Sequence, residues 1–257
     1  MDIEEHTKKA YDKYGEEYEK TRKEKAPERA YNEFLEKPCM INAVSNIKDK
    51  TLLDIGCGSG EHIKEYLKKG AKAEGVDISS TMIEIAKKNL PNIELKVGTI
   101  SNLPFQKKFD VVTSSLTMNY VNDLKKAFAE VSRVLKKGGM FYYSDFSIIN
   151  LAKEHKEDEK FVYCEIGFVE DKKTGARKIL GNHWLRNTEY FEMVPGMIIK
   201  NFRRPFSEHL HAIVNSGLEL IDFIDCKPTE EFKKYNPKDY EVYCKFPAFS
   251  IYVCRKK

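Results

Sequence analysis

The sequence predicts an α/β fold, a doubly wound and mostly parallel sheet, and three observations predict it. From Thr51 onward, short apolar runs alternate with amphipathic helical ones. The first apolar run ends in a turn with glycine at alternate positions, Gly56, Gly58 and Gly60, and the second ends on an acid, Asp77. Strands separated by single helices form parallel βαβ units with helices on both faces. Ligands of such sheets bind beyond the carboxyl ends of the strands, where the strand order switches, and the glycine turn lies at such an end. Glycine tolerates φ > 0 and has no Cβ, so this backbone can come very close to a nucleotide-like cofactor.

The elements follow in order. Residues 1–45 are polar and helical in pattern, with Tyr11, Tyr14 and Tyr18 on one face at spacings of three and four, and Pro27 and Pro38 divide the stretch into two or three helices. The tyrosine stripe reads first as packing and second as a cover for the cofactor pocket. Then come a strand at Thr51–Ile55, a helix at Gly60–Lys69, a strand at Ala73–Asp77, a helix at Ser80–Asn89 and a strand at Ile93–Val97. They are followed by a strand at Phe109–Ser115, a helix at Leu124–Leu135 and, after the turn Lys136-Lys137-Gly138-Gly139, a strand at Met140–Ser144. The alternation lapses over residues 147–205, where Phe161–Phe168 and Arg177–Trp184 read as a hairpin around Glu170–Gly175. This aromatic insertion reads as a lid. A helix at Ser207–Ser216 and strands at Leu218–Asp225 and Ala248–Arg255 return to the sheet, for seven strands in all. Residues 1–257 therefore read as one domain, with 1–45 as a helical cap and 147–205 as a substrate-side insertion.

Composition narrows the function classes. Lys+Arg of 44 against Asp+Glu of 40 gives a net charge of +4, with the charges interspersed, so nucleic acid is not expected. No apolar run approaches a membrane span and Met1–Glu5 lacks the regions of a signal peptide, so a cytoplasmic protein that does not bind membranes is expected. The six cysteines form no CxxC pair and read as reduced thiols. His209 and His211 stand two apart on a helix and face different directions, so no metal is expected.

Asp77 can accept hydrogen bonds from the two hydroxyls of a ribose, which suits a nicotinamide dinucleotide and any adenosyl ligand equally. The spacing GxGxG differs from the GxGxxG whose helix N-terminus receives a pyrophosphate, which argues against a dinucleotide. The segments Asp54–Gly60, Gly75–Met82, Gly98–Phe105 with Phe109–Val112, and Leu135–Gly139 resemble, in order, the motifs of the class I S-adenosylmethionine-dependent methyltransferases, in particular their type 11 small-molecule group. The resemblance implies a Rossmann-like sheet and S-adenosyl-L-methionine as cofactor.

It also implies roles. Asp54 would order the glycine loop and the amino end of the methionine moiety, with Gly56, Cys57 and Gly58 bringing the backbone to it. Asp77 would hold the ribose, Ile78 and Met82 would sandwich the adenine, and Leu116 would face the methionine. Thr99 stands where the family commonly has an acid, and could accept from the adenine amino group through its hydroxyl, beside the Ile100 amide. Apart from the resemblance, the functional reading of the tyrosine stripe makes Tyr18 a cofactor-binding candidate and Tyr11 a substrate-binding one.

Methyl transfer asks little of side chains, because the sulfonium already activates the methyl group; the protein holds an acceptor in line behind it and excludes water. No general base is singled out. Acceptor-side candidates are Asn119 and Tyr120 after the fourth strand, His183 and Trp184 in the lid, and Arg203, with His155 as a further lid histidine. The lid aromatics could cage a cationic acceptor, though core packing is their plainer use. A small-molecule O-, N- or C-methyltransferase is the first reading, with a homodimer through the exposed hairpin left open. An RNA or protein methyltransferase using the lysines near Lys68, Lys87 and Lys107, and a non-catalytic cofactor-binding regulator, are the alternatives.

Overall fold

A computed structural model describes residues 2–24, 29–152, 154–157, 162–165, 167–184 and 186–257. Helix α1, Ile3–Lys23, is capped by the Asp2 carboxylate, and carries Glu4 and Glu5 in its first turn and Lys20, Arg22 and Lys23 in its last, the charge order its dipole favours. The expected break at Pro27 lies outside the described residues. A π-helical turn, Asn32–Glu36, then runs directly into α2, Lys37–Ala43. Pro38 lacks the amide hydrogen that would continue an α-helical ladder, and it sits in the first turn of α2, directly after the widened π-helical turn.

The sheet region runs β1 Thr51–Ile55, α3 Glu61–Lys68, β2 Lys72–Asp77, α4 Ser80–Asn89, β3 Leu95–Val97, β4 Phe109–Ser114, α5 Leu124–Val134 and β5 Leu135–Phe146. After α6, Ile148–Ala152, come three antiparallel pairs: β6 Glu154–Glu157 with β7 Val162–Glu165, β8 Gly167–Glu170 with β9 Arg177–Leu180, and β10 Asn187–Glu192 with β11 Ile198–Arg203. The chain returns through α7 Phe206–Asn215, β12 Leu218–Asp225, α8 Glu230–Tyr235, α9 Pro237–Tyr243 and β13 Phe249–Lys256. The seven-stranded sheet has the order β3-β2-β1-β4-β5-β13-β12, with β13 antiparallel to both its neighbours. The order reverses between β1 and β4, which is the switch point the sequence implied.

Side-chain alternation sorts the sheet into two cores. Leu52 and Val111 pack with Ile63 and Ala86 of α3 and α4, while Leu53 and Val112 pack with Phe128 and Ile213 of α5 and α7. A third, smaller cluster joins Ala10 of α1 to Val194, Met197 and Ile199 of the β10–β11 hairpin, with Tyr11, Tyr14 and Tyr18 against it. That cluster is the packing role expected of the tyrosine stripe.

Three differences from the expected elements have local causes. The Lys136–Gly139 turn does not precede β5 but lies within it as a bulge, where Leu135 pairs with Phe109 and Met140 with Val111; Gly138 takes φ 74° there. The expected hairpin forms with shorter strands around Asp171, whose carboxylate accepts from the Lys173 and Thr174 amides, and the first expected strand divides between β7 and β8. The β10–β11 hairpin and helices α8 and α9 were not expected, although Pro195-Gly196, the alternating burial of Ile198–Arg203, and Asn236 capping the Asp239 amide ahead of Pro237 all signal them.

Candidate functional site

The carboxyl ends of β1, β2 and β4 form the floor of a cavity of about 600 Å³. The Gly56 and Cys57 amides both donate to the Val76 carbonyl, which ties the glycine turn to the end of β2 at 2.8 and 3.1 Å. Gly56 has φ 70°, and a Cβ there would stand 2.3 Å from Thr117 Oγ1, so neither the conformation nor the space admits a side chain. Asp77 grips two neighbours: Oδ2 accepts from the Gly58 amide at 2.8 Å and Oδ1 from the Ser79 amide at 2.9 Å. Burial raises its carboxyl above the ordinary value, against the opposing pull of those amides.

Asp54 sits differently. It is buried, accepts from Thr113 Oγ1 at 2.7 Å and is not among the residues lining the cavity. The hydrogen bond that orders the glycine loop therefore comes from Asp77, and Asp54 braces β1 against β4. Burial pushes the Asp54 carboxyl up to about 6, despite the nearby His62 and the Thr113 hydroxyl.

Ile78, Met82, Thr99, Ile100 and Leu116 continue the floor. Helix α4 begins there, capped by its own Ser79, whose hydroxyl accepts from the Met82 amide, and also held from α1: the Asp12 carboxylate accepts from the Ser79 and Ser80 hydroxyls at 2.8 and 3.1 Å. Burial raises the Asp12 carboxyl, but hydrogen bonds from Lys8, Ser79 and Thr81 outweigh it and hold it below the ordinary value. Leu116 has φ 46°, and its amide donates to Ser144 Oγ, which in turn donates to the fully buried Glu36. Glu36 Oε2 lies 3.6 Å from His62 Nε2. Burial lowers the His62 pKa, yet Glu36 and Asp54 more than offset it and hold it above the ordinary value.

The roof is aromatic. Tyr11 meets Tyr18 edge to face at 5.4 Å and Tyr120 at 6.5 Å, and the Arg29 guanidinium stands 4.8 Å over the Tyr18 ring. Burial raises the Tyr11 phenol far above its ordinary value and pushes Tyr120 up to about 12. Asn119 Nδ2 donates to Asn201 Oδ1 at 2.5 Å, and its own Oδ1 is buried without a partner. Arg203 pairs with Glu189 at 2.7 Å and donates to the Asn150 carbonyl.

Of the residues singled out in the sequence, Tyr11, Tyr18, Gly56, Cys57, Gly58, Asp77, Ile78, Met82, Thr99, Ile100, Leu116, Asn119, Tyr120 and Arg203 line this one cavity. His183 and Trp184 do not: they pack against each other at 5.0 Å on an exposed loop, with Trp184 74% exposed. Neither lines the cavity, which corrects the expectation that they face the acceptor. The side chain of His155 lies outside what is described. Sequence reasoning missed Arg22, Arg29, Glu36 and His62, all in the wall. His62 follows the glycine turn by two residues and was legible there; the other three carry no local signal. Among the described residues, no cluster of three or more His, Cys, Asp or Glu could hold a metal.

Known proteins agree with this geometry. A family model described as "Methyltransferase domain" matches residues 53–143. Over those residues the chain is similar to a methyltransferase domain. The cofactor of such a domain is S-adenosylmethionine, and the structure fits it: an open glycine backbone, a buried carboxylate at the end of β2 and apolar Ile78 and Met82 stand together. An uncharacterized protein of Haemophilus influenzae is 36% identical over 140 residues, 51% of this chain and 54% of that one. A demethylmenaquinone methyltransferase of Renibacterium salmoninarum is 34% identical over 109 residues, 42% of this chain and 46% of that one. The chain thus spans about half the length of these curated relatives. In fold, an S-adenosylmethionine-dependent methyltransferase of Mesorhizobium loti superposes with a TM-score of 0.66 at 22% identity, over 85% of this chain and 96% of that one.

Proposed function

We propose that the chain transfers the methyl group of S-adenosylmethionine to oxygen, nitrogen or carbon of a small molecule held in the cavity. The observation that carries this reading is the roof: α1 and the β10–β11 hairpin close a cavity of about 600 Å³ lined by aromatic rings, a size and lining that suit small ligands. The Renibacterium relative's name gives demethylmenaquinone, a small molecule, as its acceptor. In this reading residues 1–257 act as one cytoplasmic unit, with 1–45 as cap and 147–205 as the acceptor-side insertion.

The bound cofactor supplies an activated methyl group on a sulfonium. Gly56, Cys57 and Gly58 present backbone to its methionine part, Asp77 holds the ribose, and Ile78, Met82, Thr99 and Ile100 hold the adenine. Tyr18 and Leu116 close over the methionine side. Tyr11, Asn119 and Tyr120 position the acceptor, and Asn119 Oδ1, buried without a partner, is ready to accept a hydrogen bond from it. Arg203 is held by Glu189 and Asn150 and fixes the hairpin in place. Exclusion of water follows from the aromatic roof.

Turnover with S-adenosylmethionine against a metabolite extract, read by release of S-adenosylhomocysteine and by the new methylated mass, tests the reading. A labelled metabolite is expected. Methylation of RNA or protein alone, or no turnover by a protein that binds the cofactor, would replace it with one of the two alternatives.

A further inference from the structure

Among the described residues, the cations of the cavity wall are matched with one exception. Arg22 pairs with Glu19 at 2.7 Å, Glu61 at 3.2 Å and Glu33 at 3.3 Å; Lys37 pairs with Glu33 and Glu61; Arg203 pairs with Glu189. Arg29 is 4% exposed, donates a terminal nitrogen to the Met193 carbonyl, lies over the Tyr18 ring, and has its Nε buried without a hydrogen-bond partner. Among the described residues no carboxylate pairs with it. A guanidinium stays charged in proteins, and a buried charge without a counter-ion is costly.

We propose that Arg29 is the seat of a carboxylate on the methyl acceptor, so that the acceptors of this protein are flat, apolar molecules bearing one carboxylate. The inference rests on the small-molecule reading above. The place of Arg29 beside the β10–β11 hairpin, on the acceptor side of the cavity, favours an anion on the acceptor over one on the cofactor. Arg29 stands in the roof, between Tyr18 of α1 and Met193 of the β10–β11 turn, whereas Arg22 and Lys37, which pair with Glu61 at the start of α3, are already neutralised by carboxylates of the chain itself. The planar fork of a guanidinium matches a carboxylate, and Nε–H is a donor here without a partner. The flat body follows from the rings beside it: Tyr11, Tyr18 and Tyr120 meet edge to face, and Phe191 packs with the same cluster.

The test is calorimetric titration of the S-adenosylhomocysteine-saturated protein with 4-hydroxybenzoate and with its uncharged counterpart, 4-hydroxybenzamide. The acid is expected to bind at least about tenfold more tightly than the amide, the range of a hydrogen bond to a charged group. Arg29→Met should erase that preference and leave S-adenosylhomocysteine affinity unchanged, and Arg29→Lys should restore part of it. A wild type that does not separate acid from amide, whether it binds both or neither, overturns the proposal. So does an Arg29→Met protein that loses S-adenosylhomocysteine instead, because Arg29 would then serve the cofactor. Should Arg29→Met fail to fold, the acid and amide titrations of the wild type decide. Failure here with turnover on a metabolite extract intact removes only the carboxylate, not the small-molecule reading.

Discussion

The cavity's floor and its roof are built by different means. The floor is backbone and strand ends: Gly56, Cys57 and Gly58 are hydrogen-bonded to the end of β2, and parallel pairing of β1 with β2 and β4 fixes where they stand. The roof is side chains meeting across long stretches of sequence, Ala10 and the α1 tyrosines against Val194, Met197 and Ile199. A floor held by sheet register tolerates almost no change at its turn, while a roof held by a small satellite cluster can loosen without unfolding the sheet. In the proposed reading the floor takes the cofactor, whose shape is constant, and the roof takes the acceptor.

The largest expected effect is on the floor. Gly56→Val adds a side chain at positive φ and drives its Cβ against Thr117, at a cost of about 3 kcal/mol or more. Urea unfolding would show a lowered midpoint, and calorimetry with S-adenosylhomocysteine no binding; a variant with wild-type stability would show that the turn is not rigid. Next comes the pH dependence of Asp54. Its folded pKa, about 6, lies above the ordinary 3.8, so its contribution is full below about pH 3.8 and is lost as pH rises through 6. The loss amounts to about 2–3 kcal/mol. Asp54→Asn keeps an acceptor for Thr113 and should flatten that limb of the stability-against-pH curve; an unchanged limb would assign it to other groups.

Asp77→Ala should weaken S-adenosylhomocysteine binding by about 1–3 kcal/mol, and loosen the glycine loop besides. Unchanged affinity would remove Asp77 from the cofactor site. The smallest effect on global stability belongs to the roof. Met197→Ala should cost only about 1 kcal/mol in urea unfolding, below the usual core truncation, because its small cluster can open locally. Hydrogen exchange should rise over residues 187–203 and the KM for the acceptor should rise with it. A loss as large as for a sheet-core residue would mean that roof and floor unfold together.

The same division explains what the sequence made legible. The seven strands, the glycine turn and Asp77 are local patterns, since strand period and positive-φ glycines are written in adjacent residues. The resemblance gave the loop contact to Asp54, and only coordinates show that Asp77 Oδ2 reaches the Gly58 amide while Asp54 turns to Thr113. Arg29 and Glu36 sat in a polar helical stretch like any solvated face. What buries them is Met193 for one and Ser144 for the other, 164 and 108 positions away along the chain. Trp184 erred the opposite way: aromatic content suggested a pocket, but its ring stands in solvent.

The Asp12 carboxylate, set at the start of α4 from a neighbouring helix, ties the two halves together in time as well as in space. Lifting α1 to admit a ligand must first strip that helix end of the acceptor its hydroxyls share. If a ligand enters by that route, the rate of exchange is coupled to a partly exposed electrostatic contact, which includes the Lys8 ammonium beside Asp12. Dissolved salt weakens such contacts. Stopped-flow release of S-adenosylhomocysteine should quicken with ionic strength, and Asp12→Asn should quicken it at low salt and blunt the salt response.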